Sequence, residues 1–189
     1  GEAFLKNCLE NKLFKNSEIF VLEKSTNRKN YLENTYKIKV FDKFEDLQEI
    51  CDIFFLAIKP QGLADFKSFE MSNKIIISIL AGTKISRISE KFKNAKIVRT
   101  MPNLGQFVNQ GMTGIYFSET ENTEFLENNN KLSSKAENLL NSDEKNIVKN
   151  IFKAGGKIVE VQQEADLDKI TAISGSGPAY FFLFTEFLK

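Results

Sequence analysis

The sequence contains no histidine at all, only two cysteines and only three prolines in 189 residues. The missing histidine has the widest consequence, because it excludes Ser-His and Cys-His nucleophilic sites. Zinc would have to be held by carboxylates together with Cys8 and Cys51, which stand far apart in the chain, so no metal site is expected. Chemistry in this chain therefore needs a cofactor or carboxylates. Both cysteines lie in apolar patterns and read as buried free thiols. An excess of either charge is also lacking: 26 basic residues face 25 acidic ones, for a formal charge of +1. That balance argues against nucleic acid or a membrane surface as partner. No apolar run is long enough to span a bilayer and no basic-then-apolar leader opens the chain, so a cytoplasmic protein is expected.

What is present is an alternation of short apolar runs with amphipathic stretches, in a chain long enough for one core and the start of another. Gly1 to Leu9 reads as a helix, with Phe4, Leu5, Cys8 and Leu9 on one face, and Ile19 to Leu22 as a buried strand. Asp42 to Cys51 reads as a helix capped by Asp42 with Glu45 three residues on, carrying Phe44, Leu47 and Ile50 on one face. Ile53 to Ile58 is the strongest buried strand, stopped by Lys59 and Pro60. Leu63, Phe66 and Phe69 mark a helix, Ile75 to Ile79 a strand, Ile85, Ile88 and Phe92 a helix, Ile97 to Thr100 and Gly114 to Phe117 two more strands. The polar stretch 118–141 reads as a surface insertion without assigned function. Ser142 is expected to cap a helix with Ile147, Val148, Ile151 and Phe152 inward, ended by Gly155 and Gly156, before a last strand from Lys157 to Val161. Glu164 to Ile173 and the apolar Phe181 to Leu188 read as closing helices. Repeated strand and helix alternation marks an α/β fold with a doubly wound, mainly parallel sheet.

Ligands of such sheets bind beyond the carboxyl ends of the strands. Ala57, Ile58, Lys59 and Pro60 stand there, although a lysine at a strand end also reads as a solvated stop. Ala81 and Gly82 follow the next strand, small enough for the backbone to lie beside a flat ring. The polar turn with Ser25 and Arg28 suits a 2′-phosphate, or is a solvated turn, and acidic Glu23 precedes it. Ser174, Gly175, Ser176 and Gly177 form a small-residue loop ahead of Pro178. Such a helix start seats a carboxylate or phosphate, or merely connects two helices. The carboxylates Glu164, Asp166 and Asp168 complement a helix amino end.

Three stretches in this order, Phe55-Leu-Ala-Ile-Lys-Pro60, Arg99-Thr-Met-Pro-Asn103 with Gly111-Met-Thr113, and Thr171-Ala-Ile-Ser-Gly-Ser-Gly-Pro-Ala-Tyr180, resemble the pyrroline-5-carboxylate reductase family. The resemblance implies a Rossmann-like domain and reduction of 1-pyrroline-5-carboxylate to L-proline with NADPH or NADH, in a homo-oligomer. It implies that Gly1, as the last glycine of a Gly-x-Gly-x-x-Gly turn, together with Ser25, Arg28, Ala57, Ile58, Lys59, Pro60, Ala81, Gly82 and Asn103, contacts the cofactor. By the same resemblance Ser174, Gly175, Ser176 and Gly177 hold the substrate carboxylate and Glu164 orients the ring nitrogen. Where the family continues Asn103 with Thr-Pro, this chain has Leu104 and Gly105. The first two glycines of the turn and the family's Ser-Pro-Gly-Gly-Thr loop are not in the sequence. The expectation is therefore a fragment, with an incomplete NAD(P)-binding domain at 1–163 and the beginning of a helical substrate and dimerisation domain at 164–189. A shortened, non-catalytic protein that binds a nucleotide or a partner is the alternative.

Overall fold

The computed structural model describes residues 1–118 and 139–188. Most of the expected polar insertion, residues 119–138, lies outside them. The chain opens with helix α1 (Glu2–Glu10), then β1 (Phe20–Leu22), α2 (Thr26–Tyr36) and β2 (Lys39–Phe41). Next come α3 (Glu45–Gln48), β3 (Ile53–Leu56), β4 (Phe69–Glu70), β5 (Ile75–Ser78), α4 (Ile85–Ser89), β6 (Phe92–Lys93), β7 (Lys96–Met101) and β8 (Gly111–Phe117). Helix α5 (Ser142–Lys153), β9 (Gly156–Glu160), α6 (Asp166–Ile170) and α7 (Gly177–Phe187) complete it.

Strands pair in the order β3-β5-β7-β8-β9, parallel except for β7 with β8, while β1 and β2 form a separate parallel pair. Side chains alternate between the two faces of a strand, so each strand feeds two cores. Ile76 and Ile97 join Phe44, Leu63, Leu80, Ile88 and Phe92 on one face. Ile75, Ile77 and Val98 join Phe4, Cys8, Val148 and Phe152 on the other. All four residues of β5 are buried, as befits a parallel strand covered on both faces. At the sheet edge, β3 buries only Phe54 and Leu56, so β5 and not β3 is the most buried strand.

Several local expectations are corrected. Phe44, not Asp42, stands at the amino end of α3, and no side chain caps it. Its ring packs on those of Phe54, Phe66, Phe69 and Phe92 at centroid distances of 5.4, 5.6, 4.5 and 5.7 Å, so aromatic packing sets where the helix begins. Ile50, expected on the same face, is exposed. The helix expected through Leu63 and Phe69 is a 3-10 turn, Pro60–Asp65, followed by β4, whose Phe69 pairs with Phe92 of β6. Phe92 is thus a strand residue. Asn141, not Ser142, caps α5: its side chain accepts the Glu144 N–H while Glu144 accepts the Asn141 N–H. Ile147, expected inward, is exposed.

Candidate active site

The carboxyl ends of β3, β5 and β7 lie side by side, because these strands are parallel and in register from Ile53 opposite Ile75 and Ile75 opposite Lys96. Exposed Ala57, Ile58 and Lys59 leave β3 there, and Pro60 opens the 3-10 turn. From β5 the chain reaches Ala81 and Gly82, which adopts a φ of +63° that suits glycine and has open space where a Cβ would stand. Beyond β7 comes Asn103.

Gly1 reaches the same edge. A Cβ added to it would stand 3.1 Å from the Ala57 Cβ, so the start of α1 and the end of β3 approach as closely as their small side chains allow. Ser25 stands ahead of α2 with its N–H donated to Glu23 Oε1 at 2.9 Å. Arg28 donates to Glu2 in the first turn of α1, and its guanidinium lies 4.8 Å from the centre of the Tyr31 ring. Glu2 also accepts the Tyr36 hydroxyl at 2.7 Å and the Tyr31 hydroxyl at 3.0 Å. The bond from Tyr36 first, then those from Arg28 and Tyr31, hold the Glu2 carboxyl below its ordinary range, so it is ionised at neutral pH. The polar turn read as solvated or phosphate-binding is thus tied to α1 by an ion pair. Gly1 packed on Ala57, the exposed backbone at Gly82, Ser25 and the Glu2-paired Arg28 are the groups these segments offer to a dinucleotide.

The small-residue segment takes a different form from the loop read in the sequence. Helix α6 runs on through a widened π turn, Thr171–Gly175, closed by the Ser176 N–H to the Thr171 carbonyl at 2.9 Å, and α7 starts directly after it. Such widened turns recur at functional sites. Gly175 lies against Met101: a Cβ there would stand 2.7 Å from Met101 Cε, at the flexible end of that side chain. Asn103 fixes the neighbouring residue. Its side-chain amide donates to Ser174 Oγ at 3.0 Å, while its Oδ1 accepts the N–H groups of Gly105 and Met112 at 3.2 and 3.1 Å. These bonds to the loop after β7 and to β8 hold the amide in place where the Thr-Pro of related sequences is replaced by Leu104 and Gly105. Ser176 and Gly177 follow in the helical path, with open space at Gly177.

Glu164, expected to open the helix, stands just before α6, which begins at Asp166. Its Oε1 accepts the Ile85 N–H at 2.7 Å, at the start of α4, and Arg99 Nη1 at 3.2 Å. Arg99 Nη2 donates to Asp168 Oδ1 at 2.6 Å. The structure thus joins Gly1 with Ala57, Asn103 with Ser174 and Gly175 with Met101. It gives Glu164 no contact with Ser174 among the described residues.

Arg99 itself escapes the site residues read from the sequence, yet it is 2% exposed in the middle of β7. The signal was present: an arginine inside the apolar run Ile97 to Thr100 is a charge that burial forces to find partners, and the acidic start at 164–168 supplies them. Gly114 was missed too. A Cβ on it would stand 2.6 Å from Ile170 Cδ1 and 2.9 Å from Leu167 Cδ2, which makes it the seat of α6 on the sheet. Among the described residues no cluster of three or more candidate side chains could hold a metal ion, and no helix is long and apolar enough to cross a membrane.

Comparison with known proteins adds names to this geometry. A family model described as NADP oxidoreductase, coenzyme F420-dependent, matches residues 1–82. A pyrroline-5-carboxylate reductase of Synechocystis is 32% identical over the whole of this chain and 64% of its own length. That of Pasteurella multocida is 35% identical over 77% of this chain and 48% of its own. The crystal structure of Plasmodium falciparum pyrroline carboxylate reductase with NADP bound superposes with a TM-score of 0.73 at 28% identity, covering 98% of this chain and 62% of that one. The chain spans less than two thirds of the length of each of these relatives.

Proposed function

Over its length the chain belongs to the pyrroline-5-carboxylate reductase family, and we propose that it forms the cofactor-binding body and the substrate-carboxylate segment of an enzyme that reduces 1-pyrroline-5-carboxylate to L-proline, the last step of proline biosynthesis. NADPH or NADH supplies the hydride when bound. The protein's share is position and electrostatics, which suits a chain without histidine.

One observation carries this most directly: Asn103, at the carboxyl end of β7, is hydrogen-bonded to Ser174 of the Ser-Gly-Ser-Gly-Pro segment. The cofactor edge and the substrate segment meet at that bond. In this assignment Gly1, Ser25, Arg28, Ala57, Ile58, Lys59, Pro60, Ala81, Gly82 and Asn103 line the dinucleotide, within a domain at 1–163. Ser174, Gly175, Ser176 and Gly177 hold the carboxylate at the opening of a helical domain at 164–189. Glu164, whose Oε1 is taken by Arg99 and Ile85, has its second carboxylate oxygen to orient the ring nitrogen. The protein acts in the cytoplasm as a homo-oligomer.

The test is NADPH consumption by the purified chain with and without pyrroline-5-carboxylate, alongside proline formation. Turnover that requires substrate and yields proline is expected. A folded preparation that forms no proline would overturn the assignment for this polypeptide. A second reading, a nucleotide-binding protein that associates without turnover, is favoured by the exposed apolar side chains Tyr180, Phe181, Phe184 and Phe187 of α7. Nucleotide binding together with self-association but no proline formation would select it.

A further inference from the structure

The turn after β1 and the start of α1 each bring a carboxylate to the groups that a 2′-phosphate would need. Glu23 Oε1 accepts the Ser25 N–H at 2.9 Å, and Glu2 pairs with the Arg28 guanidinium. Glu2 is not a loosely placed side chain: the hydroxyls of Tyr31 and Tyr36 both donate to it, and the Tyr31 ring packs against the guanidinium it holds. The four groups come from two helices, α1 and α2, so the arrangement is fixed by their packing and not by one turn. A ribose 2′-hydroxyl can donate to a carboxylate. A 2′-phosphate is repelled by one and needs the guanidinium that the carboxylate already occupies.

We propose that Glu2 is a residue that sets nucleotide specificity: by holding Arg28 against α1 it weakens binding of a dinucleotide bearing a 2′-phosphate relative to one bearing a 2′-hydroxyl. This rests on the dinucleotide edge assigned above. Arg28 is then a latent phosphate ligand, and Glu2 its internal competitor. The pair is partly exposed, with 41% and 28% of the two side chains accessible. Pairs of that kind are worth up to about 1 kcal/mol, or about fivefold in a dissociation constant.

Calorimetric titration of the full chain and its Glu2→Gln variant with NADPH and with NADH tests this. Glutamine keeps the shape of the side chain and an oxygen for the two tyrosine hydroxyls. The expected result is that NADPH binds the variant about three- to fivefold more tightly while NADH affinity is unchanged. Arg28→Gln completes a double-mutant cycle. It abolishes the NADPH gain beside Glu2→Gln. Equal shifts for the two nucleotides, no shift, or a gain that survives Arg28→Gln would overturn the proposal while leaving the dinucleotide site in place. Failure of either nucleotide to bind any of these proteins, each with an intact thermal transition, would overturn the site assignment and this inference with it.

Discussion

Residues 164–175 and 177–188 are consecutive helical segments that meet the rest of the molecule in opposite ways. The first carries few apolar side chains, yet it is docked: Leu167 is fully buried, Gly114 makes room for Leu167 and Ile170, Met101 fits against Gly175, and Arg99 reaches up to Glu164 and Asp168. The second is far more apolar, and none of its side chains is buried. Hydrophobicity alone therefore does not decide which helix packs. Docking depends on a matching surface, here the Gly114 seat and a buried guanidinium, while the apolar α7, uncovered among the described residues, presents its side chains outward.

The contrast can be broken most severely at Leu167. Leu167→Ala is expected to lower the unfolding free energy by about 2–5 kcal/mol in urea titrations, as for other fully buried leucines. A loss below about 0.5 kcal/mol, the range of ordinary surface changes, would mean that the first segment is not docked in solution. Arg99→Met comes next. It removes charge-assisted bonds to carboxylates that remain partly solvated, so about 1–2 kcal/mol is expected. Under the proposed function the same variant should also raise KM for pyrroline-5-carboxylate, because it loosens the segment that carries Ser174.

A smaller effect, outside the C-terminal segment, comes from Glu2. Its folded carboxyl lies below the unfolded value of about 4.3, chiefly through the Tyr36 hydroxyl. The stabilisation is therefore fully present above that unfolded value and is lost as pH falls through the folded one. Wild type should exceed Glu2→Gln in stability at pH 7, and the difference should vanish on acidification below the folded value. A difference that grew in acid would contradict the lowered value. The smallest effect belongs to the second segment: Phe184→Ser should change stability by no more than about 0.5 kcal/mol. A substantial loss, measured at a concentration where the chain self-associates, would show that another copy covers α7.

The parallel strands are readable because Ile75 to Ser78 and Ile97 to Thr100 are rich in β-branched residues with distinct flanks, and three motifs point to the strand ends. Caps and short helices were read less well. Phe44 begins α3 because four other rings surround it, which is a matter of tertiary packing and not of local pattern. At the site, Asn103 and Ser174 each stand in a motif legible in the sequence, but their bond spans 71 residues and no spacing rule joins them. Gly114 looked like the first residue of a strand. Only the approach of Leu167 and Ile170 shows that its missing side chain is a docking requirement.

The antiparallel run of β8 separates two ends of the sheet. Because Phe117 pairs with Val98, the chain leaves the sheet at the edge opposite Asn103. It returns at that same far edge, where Glu144 of α5 pairs with Lys96 at the start of β7. The ion pair between α5 and β7 therefore lies at the end of the sheet away from Asn103, so α5 is fastened to the sheet without using the strand ends proposed to face the ligand.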